Sequence, residues 1–148
     1  MHNAPILICY DDSQEARHAV DVAAGLFPGR NAVVLDVAPF LTAAESIAET
    51  SLVAPNFGQL NEDEALARAR VGTSLAVAAG LRAEARTNLA APTWEGIVDV
   101  GDEIGAAVIV TGTRAHTGAR ELFEGSVSHD VAEHSRRPVL IVPLTATA

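Results

Sequence analysis

Four near-continuous apolar runs, at residues 6–10, 32–38, 106–111 and 138–142, are separated by stretches of helical period. Strands that are apolar on both sides are strands buried on both sides. They occur in parallel sheets with helices packed over each face. The run at 81–89 differs. Leu81, Ala83, Ala85 and Thr87 alternate with Arg82, Glu84, Arg86 and Asn88, which predicts an edge strand with one wet face. The pattern predicts an α/β fold with a doubly wound five-stranded parallel sheet, in one domain over 1–148.

The helices are read from capping and period. Asp12-Ser13-Gln14-Glu15 predicts a capping box, with Asp12 as the N-cap and Glu15 reaching back. Ala16, Ala19, Val20, Ala23 and Phe27 follow at helical spacing, and Pro28-Gly29 ends the run. A second helix is predicted over 62–79, with Glu62, Asp63 and Glu64 in its first turn, where the helix dipole favours acids. The segment 39–61 before it has no period and is long for a loop, which predicts a flap or a short helix over 43–49. Pro92-Thr93 opens a third helix with Ile97, Val100, Gly101 and Ile104 on its buried stripe. A fourth helix starts at Ser126, and 145–148 reads as a frayed tail.

Charge and composition exclude several chemistries. The net charge is −9, so nucleic acid is not an expected partner. All ten basic side chains are arginines. A Walker-type phosphate lysine, a Schiff-base lysine and a lysine general base are therefore excluded. A receiver-domain reading of Asp11-Asp12 fails for want of the same residue. The five histidines are scattered, and His129 and His134 miss the i, i+4 spacing of a metal pair, so no metal site is predicted. No Ser-His-Asp or Cys-His order stands out, which predicts a binding protein rather than an enzyme. There is no run long enough to cross a membrane, no basic leader, and a single Cys9, which together predict a cytoplasmic protein.

The stretch from Val108 to Val142 is the most informative about function. It reads as strand, glycine-punctuated loop, helix start at Gly125-Ser126, and final strand. Backbone N–H groups at a helix start lack partners, and the dipole favours an anion there. In open parallel sheets, ligands bind beyond the carboxyl ends of the strands where the order reverses. With order 3-2-1-4-5, Asp11, Val37 or Ala38, and Thr111-Gly112 converge on that crevice. Asp11 would accept from an adenine amino group or a ribose hydroxyl, and Val37 would wall the base. Arg114 and the N–H groups of Ser126 and Val127 would hold phosphates. Cys9 reads as a packed residue at the pocket end of its strand. Trp94 reads as packing.

These motifs resemble the universal stress protein family over Pro5 to Pro143. The family's nucleotide-binding members carry Gly-x-x-Gly, nine residues, then Gly-Ser or Gly-Thr. Here Gly112-Thr113-Arg114-Ala115 precedes nine residues and then Gly125-Ser126, with Ala115 in place of the second glycine. The aspartate after the first strand is Asp11, in Tyr10-Asp11-Asp12-Ser13. The family ending is present as Ser126-Val127-Ser128 and the strand at 138–142. The resemblance implies a Rossmann-like adenine-nucleotide-binding fold and a role in stress response or signalling. It also implies ATP or AMP as ligand, with Mg, and a nucleotide site at Cys9, Tyr10, Asp11, Val37, Thr111, Gly112, Arg114, Ala115, Gly125, Ser126, Val127 and Ser128. It further implies a homodimer through the last strand, Val139, Leu140, Ile141 and Val142, whose apolar edge would otherwise pair without control.

Ala115 keeps a second expectation open. Where such a loop needs positive φ or close approach to phosphate, a methyl group costs about 1 kcal/mol and crowds the ligand. The alternative is a dimeric interaction module of the same family that binds no nucleotide.

Overall fold

The structure, a computed structural model, describes residues 3–38, 57–114 and 127–144, with the backbone alone at 57–61 and 114. Strands β1 (Ile6–Cys9), β2 (Asn31–Ala38), β3 (Arg82–Leu89), β4 (Val108–Arg114) and β5 (Val139–Leu144) form one parallel sheet in the order β3-β2-β1-β4-β5. This is the predicted fold class and the predicted strand order. Among the described residues the helices are α1 (Gln14–Leu26), α2 (Phe57–Ala78), α3 (Thr93–Ile104) and α4 (Val127–His134).

The period-two geometry of the strands divides the core into two layers. Ile6, Ile8, Val34 and Val110 pack against Ala19, Val20 and Ala23 of α1 and Ala76 of α2. On the opposite side Leu7, Val33, Leu35 and Ile109 pack against Ile97 and Val100 of α3 and Val131 of α4. Each such aliphatic side chain, withdrawn from water, contributes about 2 kcal/mol. The small Ala face of α1 lets that helix lie close to the sheet.

Local chemistry sets the helix ends. The Ser13 Oγ accepts from the Ala16 N–H at 3.2 Å, so Ser13 is the N-cap of α1. The expected cap, Asp12, is displaced for a visible reason. The Asp11 Oδ1 accepts from the Ser13 N–H at 3.0 Å, and this turn throws Asp12 to φ +66°. Asp12 then accepts from the Tyr10 hydroxyl at 2.8 Å and from Arg17 at 2.6 Å. Helix α3 ends at Gly105, whose φ of +64° lets its N–H turn back to the carbonyls of Gly101 and Asp102.

Three further expectations are corrected. Helix α2 begins at Phe57, not at residue 62, so its three acids sit beyond the first turn. The proposed flap at 39–61 therefore ends in helix, and its suggested helix at 43–49 lies outside the described residues, as does the tail at 145–148. Strand β4 runs on to Arg114 and β5 to Leu144, further than the apolar runs alone suggested. In the edge strand β3 only Arg82 and Glu84 stand clear of the protein. Arg86 is drawn into an ion pair with Glu103 of α3, and the Asn88 amide reaches the Gly96 carbonyl at 3.4 Å.

Candidate functional site

A cavity of about 330 Å³ opens at the carboxyl edge of the sheet, over the boundary between β1 and β4. The chain leaves β1 toward one face of the sheet and leaves β4 toward the other, so the two connections part and leave a cleft. Cys9, Tyr10 and Asp11 line it from the end of β1, and Val37 from β2. Thr111 and Gly112 line it from β4, and Val127 and Ser128 from the start of α4. The fold thus brings these predicted site residues to one crevice. Arg114 closes β4 with only its backbone described, and Ala115, Gly125 and Ser126 lie outside the described residues.

The sequence reading missed several lining residues. Ser13, Glu15 and Ala16 reach the cavity because α1 starts at its rim, and Thr93 and Ile97 because α3 starts opposite. Asp36 is the most telling omission. It lies beside Val37 near the end of an apolar strand, and a charge in such a place was a readable signal.

Asp36 is 4% exposed and pairs with Arg68 of α2, Nε to Oδ2, at 2.6 Å. Burial raises its pKa, and the Arg68 hydrogen bond and charge oppose that shift. The pair depends on a close helix approach. A Cβ at Gly72, one turn beyond Arg68, would fall 2.7 Å from the Tyr10 ring. The missing side chain lets α2 settle on that ring and carries Arg68 over Asp36. Tyr10 itself is pushed up to about 12, by burial first and then by its hydrogen bond to Asp12. Asp12, held by Arg17 and then by Tyr10, is lowered.

Cys9 sits half-buried at the cavity floor, and its pKa is pushed up to about 12 by burial and then by the Asp11 charge. It is a neutral thiol at physiological pH, suited to packing rather than to nucleophilic attack. Thr111 lies on the same floor. It is 3% exposed, and among the described residues its Oγ1 has no hydrogen-bond partner. Gly112 carries a packing constraint: a Cβ there would come within 2.5 Å of the Glu15 carbonyl oxygen. This glycine is required where β4 meets the start of α1, whatever the cavity holds.

Two surface features complete the region. Trp94 stacks on His134 with ring centroids 4.0 Å apart, which ties α3 to α4 and fits the expected packing role. His129, Asp130 and Glu133 bring three ligand-type atoms within 4.8 Å of one another on α4. A search for paired histidines overlooks such a group. The atoms are at the surface, and His129 and Glu133 already form an i, i+4 contact at 3.5 Å.

No helix among the described residues is long and apolar enough to cross a membrane. No curated protein matches the chain. Among solved structures, a universal stress protein from Archaeoglobus fulgidus superposes with a TM-score of 0.67 at 22% identity, covering 93% of this chain and 92% of that one. The Archaeoglobus fulgidus universal stress protein in complex with dAMP gives 0.61 at 21% identity, over 96% and 99% of the two chains. A universal stress protein family protein from Arabidopsis thaliana with AMP bound gives 0.65 at 12%, over 97% and 93%. At such identities the likeness speaks for the fold alone. The family model for the universal stress proteins matches residues 2–143, nearly the full length, and the chain belongs to the universal stress protein family.

Proposed function

We propose that this protein binds an adenine nucleotide, ATP with Mg or AMP, in the crevice between β1 and β4, and that it serves as a non-catalytic sensor in a cytoplasmic stress response. The observation that carries the reading is the position of the cavity. It lies where the strand order reverses and runs to the first residues of α4. A base enters the apolar part, between Val37 and Ile97. The ribose meets the Asp11 carboxylate at the rim. Phosphate oxygens take the N–H groups at the start of α4, which have no partner within the helix. Relatives with dAMP and with AMP bound lend support. A homodimer joined through Val139, Leu140, Ile141 and Val142 is the expected assembly.

One observation favours the second reading, a dimeric interaction module that binds no nucleotide. Asp11, Glu15 and Asp36 all line the cavity, and among the described residues the nearby Arg17 and Arg68 are engaged with Asp12 and Asp36. Three carboxylates disfavour a polyphosphate, and the cost grows with its charge. The proposed site should therefore prefer AMP to free ATP, with Mg recovering part of the ATP affinity. Titration calorimetry with AMP, ATP and ATP plus Mg measures that order. Heat absent with all three at millimolar concentration would leave the interaction module as the surviving reading.

A further inference from the structure

We infer that His129, Asp130 and Glu133 form a surface site on α4 for one divalent transition-metal ion of the zinc class, outside the crevice. Helix geometry sets their spacing. Residues three and four apart on a helix are neighbours on one face. Glu133 follows Asp130 by three positions and His129 by four, so it stands one turn on from both. One ligand-type atom from each of the three side chains lies within 4.8 Å of the others. Zinc holds imidazole nitrogen and carboxylate oxygen at about 2.0–2.2 Å, which puts the ligands of a tetrahedral site roughly 3.4 Å apart. The His129 Nε2 and the Glu133 Oε2 are 3.5 Å apart. That is longer than the about 2.7–3.2 Å of a hydrogen bond and close to the edge of a zinc tetrahedron. A small rotation of the Asp130 side chain closes the third corner.

The donor set selects the class of ion. One imidazole nitrogen beside two carboxylates suits zinc, cobalt or nickel, whereas magnesium and calcium take oxygen donors. Two carboxylates cancel the charge of a divalent ion, and a net charge of −9 draws cations to the molecule. Water reaches the site and completes the coordination, because none of the three residues is buried. His134, the other histidine of the helix, is committed elsewhere. Its Nδ1 meets the Asp130 carbonyl at 2.8 Å, and its ring stacks on Trp94. A plain ion pair accounts for His129 and Glu133 but gives no part to the Asp130 carboxylate; a metal ion uses all three. An ion held this way ties the first turn of α4 to the second. It braces the short helix whose first residues line the crevice.

Zinc titrations by calorimetry and thermal melts, both on the full chain without an affinity tag, test the inference. One zinc ion per chain should bind with a dissociation constant of about 100 µM or tighter. Tenfold excess over that constant should raise the thermal midpoint by about 3–6 °C. His129→Ala and Glu133→Gln should each weaken zinc at least about tenfold, and Asp130→Asn at least about threefold. His18→Ala, on α1, should leave the affinity unchanged, and excess magnesium should not displace the zinc. Wild type that takes up no zinc at about 1 mM overturns the inference. Binding that survives His129→Ala or Glu133→Gln overturns it too, and marks an adventitious ion only. Binding unmoved by Asp130→Asn overturns the three-ligand site and returns His129 and Glu133 to an ion pair.

Discussion

Asp36 shows how burial and pairing compete at one carboxyl. Arg68 lies at 2.6 Å, yet withdrawal from water raises the pKa in spite of it. In the unfolded chain the group titrates near the ordinary value of about 3.9. The folded state holds the proton more tightly. The stability this confers is complete below the unfolded value and is lost as pH rises through the folded one. Asp36→Asn removes the titration. Wild type should lose ground to the variant as pH climbs from about 3.5 toward neutrality, measured as urea midpoints of the two proteins at each pH. Ground gained by wild type over that interval would mean that Arg68 outweighs burial. The neighbouring Asp12 and Ser13 mark a limit of legibility. Either residue caps a helix well, and the sequence pointed to Asp12. The choice was made by Asp11 closing a turn on the Ser13 N–H, and by Tyr10 and Arg17 drawing the Asp12 carboxylate away. The Arg17 and Tyr10 contacts exist only once the chain has folded.

Strands and helices were legible where period was strong and illegible where it was weak. The aliphatic runs of β1, β2 and β4 and the small-residue stripe of α1 announce themselves. The start of α2 does not, because Phe57-Gly58-Gln59-Leu60-Asn61 contains a glycine and an asparagine and has no apolar period. Its later turns mislead as well, since Val71, Leu75 and Val77 are exposed. Gly112 has a similar lesson. Its sequence context suggests a phosphate loop, but the nearest backbone is the Glu15 carbonyl of α1. Gly112→Ala should drive the two elements apart and cost about 2–3 kcal/mol, read from chemical denaturation. A loss below about 0.5 kcal/mol would show that α1 yields without penalty. The glycine would then be free for another use.

Strand order and crevice were legible together, because parallel strands with covering helices leave few topologies and each puts its cleft at the reversal. The pairing of Asp36 with Arg68 and the orphaned Thr111 oxygen were not. The pair spans 32 residues of sequence, and the orphan is defined by what fails to surround it. On β5, Val139, Leu140 and Ile141 are half-exposed beside the unpaired edge. If that edge joins two copies, Ile141→Arg should weaken the dimer at least about 100-fold in analytical ultracentrifugation. The melting of the isolated chain should change little, because that side chain is only partly covered. A wild type that sediments as a monomer at about 100 µM would dismiss the interface.

Pro143 lies within β5, opposite Thr113, and is exposed to water. A proline brings no N–H, so β5 offers no donor at that position. Across the sheet, β3 begins with exposed Arg82 and Glu84, which discourage a newcomer. If two copies join through β5, that short border is used up in the pair. Such a pair would leave only the charged start of β3 open among the described residues, which disfavours growth into filaments.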